Sequence, residues 1–212
     1  MLYYLAENLD ARRATLAEAL APAVGATGAC EEVRAAVECL FTWAAWADKH
    51  DGAVHQPPVK GLGLALHEPV GIIGMVAPAA QPLLGLVKLT APALAMGNRV
   101  VAVPSMLQPL VAAEFYQLLD TSDVPAGALN LVTGDADLLA DVLASHAEVD
   151  ALWWPLASST QAGRVQALSV SNLKRTWVNN GKARDWMGAT GEGREFLRHA
   201  TAIKTVWVPY GE

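Results

Sequence analysis

The chain opens on a helical rhythm. Leu2, Leu5, Leu9, Leu16 and Leu20 recur on one face, which predicts a single amphipathic helix over residues 2–21. The stretch from Pro22 to Gly28 reads as a break. A second helix is predicted over 31–49, with Val33, Val37, Leu40 and Ala44 as its apolar stripe. His50 to Pro58 reads as loop or loose strand. In GLGLALHEP, Leu62, Leu64 and Leu66 then alternate with small residues, as in a half-exposed strand.

From residue 70 the period changes. VGIIGMV is a continuous apolar run, the pattern of a strand buried on both faces of a parallel sheet. A helix over 83–96, bent at Pro92, leads to the strand RVVAV (99–103). A helix over 109–119 leads to a strand within VPAGALNLVTG, and one over 136–146 to DALWW (150–154). A last helix over 159–170 leads to LKRTWV (173–178). This alternation predicts an α/β fold, a doubly wound parallel sheet with right-handed crossovers. Residues 179–195 turn Gly-rich and polar, and AIKTVWVP (202–209) reads as an isolated strand with no helix to return it to the sheet. There is no internal repeat or low-complexity tract.

Composition narrows the picture. At 212 residues the chain is long enough for one sizeable core. Hydrophobic residues make up 53% and charged ones 17%, so part of the surface is expected to lie against a partner. A formal charge of -6 and the lack of a basic patch argue against nucleic acid as that partner. No apolar run is long enough to span a membrane without a Pro, Gly or charge interrupting it. Cys30 and Cys39 suit neither a disulfide framework nor a zinc site, and a reduced, cytoplasmic setting is expected. No signal peptide is evident. The first helix begins without a cap, which suggests a chain cut from something larger, with Met1 placed inside a longer reading frame.

Candidate chemistry is sparse. VAPAAQPLL (76–84) is an apolar strand, a tight turn and a helix start, the place where α/β enzymes hold a cofactor. Yet the turn offers only Ala79, Ala80 and the amide of Gln81. GxGxxG is absent, the glycines of GIIG (71–74) read as marks of close packing, and TGD (133–135) reads as a plain turn. Ser105, Ser158, Ser159 and Thr160 lie outside any GxSxG context. The cysteines read as small core or boundary residues. His50, His55, His67, His146 and His199 are scattered without helical i, i+4 spacing, so no metal site is expected. Trp43, Trp46, Trp153, Trp154, Trp177, Trp186 and Trp207 read as core or interface bulk.

The run EPVGIIGMVAPAAQPLLGLVKLTAPALAMGNRVVAVPS (68–105) resembles the start of the coenzyme domain of the aldehyde dehydrogenases, EPVGVVG…PWNFPL…K…PALAAGN-VV-KPSE. DVPAGALNLVTGD (123–135) is similar to that family's G-L-P-P-G-V-hydrophobic-N-V-V-T-G stretch, and HAEVDALWW (146–154) to its H-P-x-V-D-x-hydrophobic-x-F. NLKRTWVNNGK (172–182) resembles the segment ending in E-L-G-G-K, and HATAIKTVWVP the C-terminal strand. The resemblance implies a Rossmann-like coenzyme domain, NAD as the family's cofactor, and a small β oligomerisation flap.

Set on that resemblance, the chemistry is missing. The family's oxyanion-hole Asn falls on Ala80, and a donor amide there is typically worth ~3 kcal/mol to the transition state. The adenine-ribose Lys falls on Val103, the Glu after it on Met106, and the general-base Glu on Val178. The stretch corresponding to G-S-T-x-x-G reads PLASSTQAG. Only residues 183–201 stand where the family carries its catalytic domain, and no cysteine follows Cys39 to act as nucleophile.

The resemblance divides the chain into an N-terminal helical part (1–50), a flap strand region (51–68), a degenerate coenzyme-binding domain (69–182) and a linker with a C-terminal oligomerisation strand (183–212). It is similar to the degenerate second module of the two-module aldehyde dehydrogenases. The expected role is a pseudo-enzyme with no cofactor. It would dock on a second copy or on a catalytic dehydrogenase module through Leu62, Leu64, Leu66, Val206 and Trp207, flap strands whose unpaired backbone groups extend another sheet. One alternative stays open, a domain that still holds NAD, with Lys88, Ser105 and Thr133 as remaining polar contacts; a deletion fragment or splice product of an ordinary dehydrogenase predicts intact cofactor motifs, which the chain lacks.

Overall fold

A computed structural model describes residues 1–58 and 60–209, apart from the side chain of Ala189. Val59 of the expected flap region and the last three residues of the 183–212 stretch lie outside the described residues. In chain order the elements are α1 (Leu2–Ala11), α2 (Arg13–Trp46), β1 (Ala53–His55), β2 (Leu62–Pro69), β3 (Ile72–Val76), α3 (Leu84–Ala95), β4 (Arg99–Val103) and α4 (Pro109–Asp120). There follow β5 (Leu129–Leu131), α5 (Ala136–Ser145), β6 (Ala151–Trp154), α6 (Ser159–Leu168), β7 (Arg175–Val178), α7 (Arg194–Ala200) and β8 (Thr201–Val208).

The apolar runs form a five-stranded sheet in the order β5-β4-β3-β6-β7, parallel throughout. Its order reverses between β3 and β6, which creates the switch-point crevice of a Rossmann-like sheet. One face is covered by α1, α2, α3, α4 and α7, which share the larger apolar core. The other carries α5 and α6 over a smaller core that includes Val76, Val103, Leu152 and Trp154. Gly74 lets α5 approach β3, since a Cβ there would stand 3.2 Å from Leu143. The close-packing reading of GIIG therefore holds.

The N-terminal helices depart from the periodicity. The expected single helix over 2–21 is interrupted at Arg12, while the expected break over Pro22–Gly28 shrinks to a kink at Gly25 (φ 76°) inside α2. Arg13 explains the first: its side chain bonds the carbonyl and carboxylate of Asp10, closing α1 with a contact that leaves no trace in hydrophobic spacing. The leucines of both pieces still reach the core.

The tail also differs from expectation. Residues 194–200 form α7 and lead straight into β8. Phe196 and Leu197 are buried, and Phe196 meets Trp43 and Trp177 edge-on or tilted. Seven residues are too few for a helical period to show. β8 is no isolated strand: it pairs antiparallel with β2 from Leu62↔Val208 to Pro69↔Thr201, and β1 pairs with the other side of β2.

Asn98 fastens this second sheet to the first. Its Nδ2 donates to the carbonyls of Ala93 (3.0 Å) and Ala200 (2.8 Å), and its Oδ1 accepts from the Gly71 amide (3.0 Å). Nearby, His199 lies flat on Trp177 with ring centroids 4.2 Å apart. Burial, reinforced by Arg175, Arg198 and Arg184 against the opposing Glu195, pulls the His199 pKa down to about 4.

Two measurements check this account. Asn98→Ala leaves buried donors and acceptors unmatched and is expected to cost about 3 kcal/mol, lowering Tm by roughly 10 °C in thermal unfolding. The neutral imidazole of His199 contributes stability that is fully present above its ordinary value of 6.5 and is lost as pH falls toward about 4. His199→Phe, which keeps the stacking, is therefore expected to flatten the decline of Tm across that window relative to the unsubstituted protein.

Candidate functional site

The crevice at the switch point is built from the turns after β3, β4, β6 and β7. After β3, the Ala77 amide donates to the carbonyl of Val103 (2.9 Å), and Ala79 and Ala80 lie exposed on the lip. Pro78 folds back onto α3 at Gly85, where a Cβ would come within 2.0 Å of the proline ring. The amides at a helix N-terminus can hold a phosphate when nothing else occupies them. Here they are taken: the buried Glu32 of α2 accepts through Oε1 from Leu83 (2.8 Å) and Leu84 (3.0 Å). Burial raises the Glu32 pKa, against the opposing pull of those two amides.

On the other lip, Ser158 and Gln161 form a reciprocal capping box at the start of α6. Gln161 and Arg164 also bind Asp137 of α5, and Arg164 binds Asp141. The loop after β7 is laced to the same place, with the Gly181 amide donating to the Ala157 carbonyl (2.6 Å) and Ser159 to Asn180 (3.4 Å). Gly181 has φ +77°, a conformation that spares glycine the steric penalty of a side chain. Val178 is half-buried and Val103 fully buried in the smaller core, while Met106 is exposed.

The remaining polar candidates stand in three different settings. Ser105 is buried and ties two turns together, donating to the Ala79 carbonyl (3.4 Å) and accepting from the Leu107 amide (3.2 Å). Lys88 is buried in α3, its Nζ 2.9 Å from where a Cβ on Gly191 would stand. Its charge opposes the burial that pushes the Cys39 thiol up to about 12, which leaves Cys39 an inert core residue. Thr133 is exposed beside Tyr116 and Pro109, at a cavity of about 340 Å³ between α4 and β5. No hydrogen bond joins the three among the described residues. Cys30 is exposed on α2, and no group of metal-ligating side chains forms among the described residues.

The flap residues do come together, with a division that alternation alone does not reveal. Register places Leu62, Leu64, Leu66, Val206 and Val208 on one face, joined by Val54 of β1. Trp207 lies on the opposite face with Ile203, His67 and Thr201. Both faces expose apolar surface, Val54 at 70% and Trp207 at 62%. The expectation that the Leu62–His67 strand offers free backbone groups is corrected: β2 is the central strand, bonded on both sides, because the tail folds back on it. The outer edge of β8 has no partner strand among the described residues.

Sequence reading also misses a cluster. His50 and His67, distant in the chain, stack with centroids 3.9 Å apart at the seam between flap and core. Neither has a neighbour at helical spacing, so only the β2–β8 fold-back reveals the pair.

Residues 1–184 match the aldehyde dehydrogenase family. Among relatives, the chain is 35% identical over 147 residues to an aldehyde dehydrogenase of Agaricus bisporus, covering 68% of this chain and 29% of that protein. It is 33% identical over 190 residues to a cytosolic 10-formyltetrahydrofolate dehydrogenase of Mus musculus, covering 85% and 21%. A crystal structure of an NAD-dependent aldehyde dehydrogenase from Sinorhizobium meliloti superposes with a TM-score of 0.78 at 26% identity, over 84% of this chain and 36% of that one. The chain thus spans well under half the length of the relatives it matches. With its sheet order and its matched residues in agreement, the chain belongs to the aldehyde dehydrogenase family, of which it carries a partial domain.

Proposed function

We propose that the chain is a non-catalytic aldehyde-dehydrogenase-like module that organises a dehydrogenase assembly through its three-stranded flap. The observation that carries this reading is the state of the crevice. The α3 amides hold Glu32 instead of a ligand, Ala80 and Val178 present hydrocarbon at the lips, and Ser105 is committed to backbone groups. Lys88 and Thr133 point elsewhere. Those residues do not fit a dinucleotide, which needs polar donors converging on its phosphates and ribose.

The docking half of the proposal rests on the flap. Val54, Leu62, Leu66 and Val208 form an exposed apolar face, and the β8 edge supplies a row of backbone donors and acceptors. Such an edge is stabilised when another chain's strand or sheet covers it. A second copy of this chain or a catalytic dehydrogenase module would both present the matching architecture.

Several outcomes follow for the 212-residue protein. Mixed with NAD and an aldehyde it is expected to form no NADH, and calorimetric titration should give no micromolar binding of NAD; such binding would instead favour a domain that retains its cofactor. Light scattering after size exclusion is expected to show a dimer or larger species, with Leu66→Glu weakening association by about thirtyfold. A protein that stays monomeric and ignores a catalytic module would count against docking. Glu32→Ala is expected to cost about 3 kcal/mol through two stranded buried amides, and Glu32→Gln, which keeps an acceptor, much less.

A further inference from the structure

The seam where the flap meets the core encloses a cavity of about 540 Å³ lined by His50, His67, Arg175, Arg198, Thr201 and Ile203, together with Ala202. Its polar lining is basic, in a chain whose formal charge is -6. The sequence shows no basic patch because these residues come from the loop after α2, from β2, from β7, from α7 and from β8. The fold alone gathers them.

The described lining itself supplies no counter-charge. Among the described residues no carboxylate lines the cavity and neither Arg175 nor Arg198 has an ion pair. Arg175 donates only to backbone carbonyls, of Thr201 (2.9 Å) and Arg198 (3.1 Å). The nearby acids are engaged: Glu68 pairs with Lys204 (2.9 Å) and Glu195 with Arg184 (3.0 Å). Asp51, beside His50 in the chain, is exposed. His67 adds a buried Nδ1 with no hydrogen-bond partner, stacked against His50. Buried polar atoms are ordinarily satisfied, and this one is not. Burial, followed by His67 and Arg194, holds the His50 imidazole below its ordinary pKa against the opposing Asp51.

We propose that this seam is a binding site for a small oxyanion, a phosphate or carboxylate group, held by Arg198, His67 and His50 against the scaffold that Arg175 and Thr201 provide. Guanidinium and imidazole donors suit such a group through charge-assisted hydrogen bonds. Ile203 and Ala202 give the rest of the cavity an apolar wall, so the anion is best carried on a small organic body. Bound there, it would bridge β2 and β8 of the flap to β7 and α7 of the core. The site is independent of the switch-point crevice and of the docking role.

The test uses the full chain with inorganic phosphate and, in a second arm, acetate, each against sodium chloride at equal ionic strength. Saturable stabilisation in thermal unfolding is expected in at least one arm, and the arm identifies the head group. The ring resonances of His50 and His67 should move with the same midpoint. Arg198→Gln, an exposed position whose backbone carbonyl stays available to Arg175, is expected to weaken the midpoint at least about tenfold. His67→Gln should weaken it as well, and Arg34→Gln, far along α2, should leave it unchanged. Stabilisation no greater than that by chloride in both arms overturns the proposal. So does a midpoint that Arg198→Gln and His67→Gln leave in place.

Discussion

One buried amide sets the geometry on which the rest depends. Asn98 uses its nitrogen and its oxygen at once, binding the end of α3, the residue before β3 and the end of α7. Those three points belong to the parallel sheet, to the helical layer and to the lead into the flap. The Val70 amide adds a bond to the same Ala200 carbonyl (3.3 Å). A buried amide with every strong group paired allows little slip, because any shift leaves a donor or acceptor dry. The start of β8 is thereby fixed against the start of β3, and the β2–β8 ladder then fixes the flap. The seam cavity, the stacked histidines and the exposed apolar face are consequences of where that ladder begins.

Much of this was legible in the residues. The five apolar strands and the helices between them follow from period and turn chemistry, because parallel strands buried on both faces read as unbroken runs. The resemblance of 68–105 to the aldehyde dehydrogenases gives the family that residues 1–184 match. What stayed hidden depends on side chains that act across long stretches of chain. Arg13 closing α1, Glu32 filling the α3 terminus and Asn98 joining α3 to α7 are polar contacts with no periodic signature. The central place of β2 was missed for a related reason. Alternation reports which side chains share a face, and it carries no information about which edges are paired.

Two carboxylates, Glu32 and Asp137, tie helices together on each of the two faces. A helix N-terminus left empty in a nearly dry site would strand amides at a cost of about 1–3 kcal/mol each. Glu32 removes that cost for α3, and Asp137 plays the matching part on the far face by tying α6 to α5 through Gln161 and Arg164. Helix ends satisfied from within in this way need no ligand to be stable.

The flap stands in the opposite condition. Its ladder is complete inside, yet it keeps Val54, Leu66, Val208 and Trp207 in water and leaves the β8 edge open among the described residues. Asn98 and α7 tie the three strands to the core at the start of β8. Arg175 braces the seam by bonding the carbonyls of Thr201 and Arg198. The unpaired β8 edge and the exposed apolar face are thus set by the same Asn98-anchored fold-back that places the seam.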